Sequence, residues 1–296
     1  MTGDYRSGFA ALVGRPNVGK STLLNALVGQ KVSIVTPRPQ TTRHRIVGIA
    51  NLPNAQVAFV DTPGLHNHAT RALNRAMNRT AAAALEDADL VVLVTEALRW
   101  TSEDDLTLAR IVKAGRPAMA AVNKIDRAQP RERILPYIAE LAARHDFLAI
   151  VPTCALKGDN VEDLKQTIAS HLPVAPAMFL DGEITDRGLE FRIAELIREK
   201  LTLELNQEVP YGVAVEVESM VEEDGQLAVD AAIWVDREGQ KPIVIGARGE
   251  RLKRVGRAAR LTLNGLLGRR LHLNLWVKVR ENWADNARSL KHLGLE

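Results

Sequence analysis

The sequence predicts a two-part chain: an α/β domain over residues 5–172, a mostly parallel sheet with helices on both faces, then a smaller α+β domain over 189–296. Three observations predict it. Gly14–Ser21 (GRPNVGKS) lies between an apolar strand-like run and a helical one. Asp61–Gly64 (DTPG) and Asn123–Asp126 (NKID) each close a further apolar run, where open α/β sheets place their ligand-binding segments. After Pro173 and Pro176 the strand–helix alternation stops and a different element order begins.

The first strand, Phe9–Val13, delivers a loop that fits G-x-x-x-x-G-K-[ST]. In such a loop Gly14 and Gly19 let the backbone curl with its N–H groups inward, around Arg15, Pro16, Asn17 and Val18. The helix opening at Ser21 and Thr22 adds the positive end of its dipole. Lys20 is expected at the β- and γ-phosphates and Ser21 on Mg²⁺. A further strand-like run, Gln56–Val60, ends in Asp61, Thr62, Pro63 and Gly64. Asp61 is expected to hold Mg²⁺ through water, and the Gly64 N–H to meet a γ-phosphate. Asp89–Thr95 reads as a buried strand. The next, Ala118–Val122, ends in Asn123, Lys124, Ile125 and Asp126, of which Asn123 and Asp126 are expected to read the base. A carboxylate accepts from both N1–H and the exocyclic amine of guanine, a pair that adenine does not present. Phe147–Val151 reads as the last strand, and the helix Asn160–His171 closes the domain with Val161, Leu164, Ile168 and Leu172 on one face. Residues 173–188 read as a linker, because Pro173 and Pro176 forbid helix and favour extended chain.

The second domain reads as a helix (Leu189–Leu205), two strands (Tyr211–Glu218 and Leu227–Val235), a short apolar run (Ile243–Ile245) and then Gly246-Ala247-Arg248-Gly249. A helix from Glu250, a second helical stretch ending near Leu267 and the strand Leu271–Val279 follow. Charge divides unevenly here: residues 181–240 carry net −11 and residues 241–296 net +9, within a total of +3. A basic end of this kind implies a polyanionic partner, nucleic acid or anionic lipid. Lys253, Arg257 and Arg260 recur at i, i+4 and i+7 on the helix after the G-x-x-G segment. No apolar stretch approaches the ~20 residues that span a bilayer. The apolar run near the N-terminus is too short for a signal peptide. One cysteine excludes an intramolecular disulfide and suits a reducing cytoplasm.

The three nucleotide motifs resemble those of the translation-factor-related GTPases, and Thr153-Cys154-Ala155-Leu156 resembles their fifth element, usually Ser-Ala-x. The resemblance implies that the Ala155 N–H meets guanine O6; Cys154 departs from the usual serine. The α-β-β-α-α-β order with its G-x-x-G loop resembles a type II KH domain, whose loop clamps a four-nucleotide backbone segment. Together these features resemble the Era family of bacterial ribosome-assembly GTPases over nearly the whole chain. The strings GRPNVGKSTLLNALVG, QTTRHRIVGI, DTPGLH, NKID, IVIGARGERLKRVG and LWVKVRENW are similar to the family's own. A two-GTPase-domain relative also carries a KH-like domain, but it needs a second P-loop, which this chain lacks.

The resemblance implies a cytoplasmic monomer that binds GTP or GDP with Mg²⁺. It implies docking near the 3′ end of 16S rRNA on small ribosomal subunit precursors through Gly246–Gly249, Lys253, Arg257 and Arg260, and peripheral contact with the inner membrane. A second reading is a GTP-gated membrane-surface or protein-signalling switch; it needs the basic charge but no glycine turn. Lys20, Thr42, Gly64 and Asn17 are expected to act in hydrolysis. By the resemblance Thr42 ligates Mg²⁺, with neighbouring Thr41 leaving the register open by one residue. Asn17 and the carbonyls of switch I (Thr36–Thr42) resemble a potassium site between the β- and γ-phosphates. Switch I is expected to be released without a γ-phosphate. Leu65 stands where many signalling GTPases place a water-orienting glutamine. Slow intrinsic turnover follows, on the order of 10⁻³ to 10⁻² s⁻¹; His66 and His68 are nearby, and read as solvated polar residues.

Overall fold

The structure is a computed structural model that describes residues 4–64, 71–205, 209–223 and 226–295. It divides into two compact units: residues 4–64 with 76–186, and residues 71–75 with 187–295.

In the first unit the strands are β1 (Arg6–Val13), β2 (Ile46–Leu52), β3 (Ala55–Asp61), β4 (Leu90–Glu96), β5 (Ala118–Asn123) and β6 (Ile150–Pro152). They form one sheet in the order β2-β3-β1-β4-β5-β6. Every pairing is parallel except β2 with β3. Near-continuous apolar runs build the central strands: Leu90–Val94 and Met119–Val122 are fully buried, as a parallel sheet covered on both faces requires. The helices are α1 (Lys20–Val28), α2 (Ala72–Asp87), α3 (Ser102–Ala114), α4 (Ile134–Ala142) and α5 (Val161–Ser170). Thr101 and Asp104 start α3 with a reciprocal capping box. Because β1 lies between β3 and β4, the chain order reverses there, and the carboxyl ends of β1, β3 and β5 face one crevice.

The segment expected as a linker is extended but bound to the first unit. Tyr5 O and Ser7 N pair with Ala175 N and Pro173 O, each at 3.1 Å. Gln56, only 1% exposed, accepts from the N–H groups of Met178 and Phe179 at 2.8 and 2.9 Å. Phe179 sets its ring edge-on to Phe9, and Ile49 N donates to Ile184 O at 2.9 Å.

In the second unit, α6 (Leu189–Glu204), β7 (Val213–Glu223), β8 (Gln226–Val235), α7 (Lys241–Ile245), α8 (Glu250–Leu267), β9 (Leu271–Val279) and α9 (Ala287–His292) follow in order. The sheet is β7-β8-β9, with β7–β8 antiparallel and β8–β9 parallel. The order α-β-β-α-α-β holds, but its two middle helices are not both after the glycine loop. Lys241–Ile245 is itself the first of them, opened by Pro242 at its N-terminus, and 250–267 is one continuous helix.

Candidate functional site

The loop after β1 keeps its two glycines for steric reasons. A Cβ on Gly14 would stand 2.3 Å from Val94 O, and one on Gly19 would stand 2.4 Å from Asn123 Nδ2. Gly19, at φ 103°, also caps the N-terminus of α1 in a conformation that L side chains rarely adopt. Lys20 Nζ folds back to Gly14 O at 2.9 Å and Arg15 O at 3.1 Å. It lines, with Pro16, Asn17, Ser21, Thr22 and Thr42, a cleft of about 310 Å³ bounded by residues 34–42 and Gly64. Gly64 packs against Pro16, so DTPG abuts the phosphate loop.

Around Asp61 the structure gathers three hydroxyls. Oδ2 accepts from Ser21 Oγ at 2.6 Å, Ser33 Oγ at 2.9 Å and Thr42 Oγ1 at 3.3 Å. Ser21 Oγ and Thr42 Oγ1 are 2.8 Å apart. Thr41 is turned elsewhere: its hydroxyl meets Thr36 Oγ1 at 2.6 Å and Arg38 O at 2.7 Å. Among the described residues, Asp61 Oδ1 is buried without a hydrogen-bond partner. An unsatisfied carboxylate oxygen beside two hydroxyls fits a hard cation that takes oxygen ligands. Burial pushes the Asp61 carboxyl up, against the opposing Lys20 charge and the three hydroxyls. Burial likewise pushes Lys20 down to about 8, with Asp61 opposing and Arg15 adding.

That shift has a measurable consequence. Folded Lys20 releases its proton near 8 rather than at its ordinary 10.5, so between these values the unfolded chain binds more protons and stability rises with pH. The penalty is present in full below pH 8. In nucleotide-free protein, the stability difference between wild type and Lys20→Met is expected to move toward wild type by roughly 3 kcal/mol from pH 8 to 10.5. Urea unfolding at several pH values measures it; parallel profiles for the two proteins would contradict it.

Several expected nucleotide contacts have other partners. The Arg15 side chain, 6% exposed, leaves the cleft for Glu96 Oε2 at 2.8 Å and Asp104 Oδ2 at 3.2 Å, so only its backbone faces the loop. Thr62 donates to Leu12 O at 3.1 Å and ties β3 to β1; Pro63 is buried beside it. Asn123, expected to read the base, has both ends of its amide engaged by protein. Nδ2 donates to Val18 O at 2.9 Å, and Oδ1 accepts the Ala155 N–H at 3.0 Å. The N–H expected at guanine O6 is thus held by Asn123, which clamps the phosphate loop to the fifth motif. Lys124 donates to Asn17 O at 2.7 Å and pairs with Glu96 at 3.3 Å. Burial pushes Glu96 up, but the Arg15 hydrogen bond and Lys124 outweigh it and hold the carboxyl low. Asp126 is half-buried with Lys157 Nζ at 3.8 Å, Cys154 is buried and free, and Leu156 is exposed. Leu65, His66 and His68 lie outside the described residues. Ser33 and Arg127, which lines the cleft, were missed by sequence reading; neither belongs to a motif.

In the second unit the G-x-x-G loop joins α7 to α8 with Gly246, Arg248 and Gly249 at φ 76°, 52° and 77°. A Cβ on Gly246 would lie 2.6 Å from Arg251 Cβ. On α8, Val255, Ala259 and Leu263 are buried, which leaves Lys253, Arg257 and Arg260 exposed. Lys253 pairs with Glu250 at 3.6 Å, whereas Arg257 and Arg260 make no ion pair among the described residues. Trp276 does not join this surface. Gly256 of α8 packs toward Leu275, so by alternation along β9 Trp276 faces the opposite side of the sheet, with Lys278 Nζ 5.7 Å from its ring.

The fold and these sites define a P-loop GTPase domain followed by a KH domain. Residues 9–124 match the 50S ribosome-binding GTPase family and residues 208–284 the KH domain family. The chain is 48% identical over 292 residues to GTPase Era of Marinobacter nauticus, covering 99% of this chain and 96% of that protein. It is 48% identical over 296 residues to GTPase Era of Xanthomonas axonopodis pv. citri, covering 100% and 99%. Among solved structures, an Aquifex aeolicus Era variant bound to GDP and AlF4⁻ superposes with a TM-score of 0.93 at 38% identity, covering 98% of this chain and 99% of that one. An Era complex with MgGDPNP and nucleotides 1506–1542 of 16S ribosomal RNA gives the same values. The chain belongs to the GTPase Era family.

Proposed function

We propose that this chain couples GTP hydrolysis to binding and release of 16S rRNA near its 3′ end, and so assists assembly of the small ribosomal subunit. The observation that carries the reading is the presence in one chain of two built sites. One is the cleft of Lys20, Ser21, Thr42 and Asp61; the other is a glycine loop beside exposed Lys253, Arg257 and Arg260. The relative solved with MgGDPNP and a 16S rRNA segment supports joining them.

In the GTPase domain, Lys20 and the N–H groups from Gly14 to Ser21 would hold the phosphates, and Asp126 would select guanine on a rim held by Asn123. Ser21, Thr42 and Asp61 would hold Mg²⁺, which when bound neutralises phosphate charge. Transfer of the hydroxyls of Ser21 and Thr42 from Asp61 to a cation would tie switch I to the nucleotide state. In the KH domain, small residues at Gly246, Ala247 and Gly249 would admit the RNA backbone, and the α8 cations would neutralise phosphates. The single free cysteine supports a reducing cytoplasm. No helix among the described residues is long and apolar enough to cross a membrane. Inner-membrane contact would therefore be peripheral, made by the basic C-terminal stretch of a monomer.

The reading also assigns potassium to Asn17 and the switch I carbonyls, which line one cleft. There a cation would lie where the transition state develops charge. Hydrolysis is expected to be several-fold faster in KCl than in NaCl at matched ionic strength, and Asn17→Asp is expected to lose the stimulation; equal rates would remove the potassium assignment. The function itself is tested by titrating GTP-loaded protein with a 16S 3′-end oligonucleotide and with anionic vesicles. Preference for vesicles would overturn it.

A further inference from the structure

Among the described residues the two oxygens of Asp61 are used unequally: three hydroxyls converge on Oδ2, and Oδ1 is buried without a partner. Two of those hydroxyls, on Ser21 and Thr42, come from residues that line the cleft; the third, on Ser33, comes from a residue that does not line it. Ser33 is 1% exposed and its backbone is bolted to α1 by the Asn25 side chain. Asn25 Oδ1 accepts from Val32 N and Ser33 N, both at 2.9 Å, while its Nδ2 donates to Ser33 O at 2.8 Å. Asn25 lies one turn after Ser21 on α1, so the helix that carries Ser21 also sets the position of the Ser33 hydroxyl.

We infer that Ser33, held by Asn25, is a positioning residue that orients the Asp61 carboxylate for the cation. The inference rests on the reading of Ser21, Thr42 and Asp61 as the magnesium site. The terminal torsion of an aspartate is soft, so a carboxylate with one oxygen unpinned rotates among poses. The Ser33 hydrogen bond fixes Oδ2 and thereby aims Oδ1 whether switch I is in or out. It also offsets part of the burial that disfavours the charged, cation-binding form of Asp61. Partners that orient a metal-binding side chain are typically worth 10- to 100-fold in metal affinity.

The test follows release of a fluorescent GDP derivative as Mg²⁺ is titrated, in the full-length protein. Ser33→Ala is expected to raise the Mg²⁺ concentration that half-maximally slows release by about 10-fold, and to leave release in EDTA unchanged. Ser33→Thr, which keeps the hydroxyl, is expected to restore wild-type behaviour. Asn25→Ala, which does not touch Asp61, is expected to shift the midpoint in the same direction as Ser33→Ala. Should Ser33→Ala fail to fold, Ser33→Cys keeps the volume with a weaker donor and is expected to shift the midpoint by a smaller factor. Wild-type release that ignores Mg²⁺ would remove the magnesium-site reading itself. Magnesium-sensitive wild type with an unshifted Ser33→Ala or Ser33→Cys midpoint would overturn the positioning role alone, as would variants equally impaired in EDTA.

Discussion

Replacing Ala247 and Arg248 together by aspartate is expected to lower RNA affinity by about 100-fold or more, because like charges placed in contact cost several kcal/mol, while basal GTP hydrolysis stays at the wild-type rate. The loop turns through positive φ at Gly246, Arg248 and Gly249, and Ala247 and Arg248 between the glycines are exposed. Two carboxylates there meet phosphates directly and fill the surface of close approach. Aspartate accepts the left-handed conformation of Arg248 better than most residues, so the loop is expected to keep its shape. Val255, Ala259 and Leu263, which anchor α8, are not touched. Neutralising Arg257 or Arg260 acts more gently. Each phosphate of a single strand that is no longer neutralised lowers the slope of log K against log[salt] by about 0.7. Fluorescence anisotropy with a single strand carrying the 16S 3′-end sequence, across a salt series, measures both effects. Unchanged affinity in the double variant would detach RNA binding from this loop.

Asp126→Asn is expected to exchange guanine for xanthine. In the proposed site the Asp126 carboxylate would accept from N1–H and the exocyclic amine; an asparagine amide keeps one acceptor and sets an N–H donor against a donor. Hydrogen bonds to charged groups are worth about 1.5–3 kcal/mol each, so two compromised bonds lower GTP affinity by roughly 10²- to 10⁴-fold. Xanthine carries a carbonyl in place of the amine, which the new N–H satisfies, and xanthosine triphosphate is expected to recover most of the loss. Lys157, 3.8 Å from the carboxylate, loses its ion pair in the variant, but its side chain is 60% exposed and contributes little. Competition against a fluorescent GDP derivative compares the two nucleotides. Undiminished GTP affinity would transfer base selection from Asp126 to another group.

Where the chemistry is local in sequence, it was readable. Gly14, Gly19, Lys20 and Ser21 lie within eight consecutive residues, and Asp61 and Asn123 terminate apolar runs that are strands in the structure. Alternation along β9 was also present in the sequence, and it places Trp276 opposite the Leu275 face. The helix Lys241–Ile245 was hidden by its length, since five residues are too few for a 3.6-residue period to declare itself.

By itself the sequence determined the nucleotide loop, the strands that deliver each motif, the two-part architecture and the basic face of α8, because each follows from spacing along a single element. Only the tertiary structure decided which groups meet. Arg15 turns to Asp104, 89 residues away, and Gln56 holds a segment 122 residues away. Asn123 spends its amide on Val18 and Ala155, and Thr42 rather than Thr41 reaches Asp61. The physical reason is that a buried polar group must find a partner wherever packing brings one, since leaving it unpaired costs about 1–3 kcal/mol. Such pairings depend on distance in space, and they leave no period or spacing in the chain to be read.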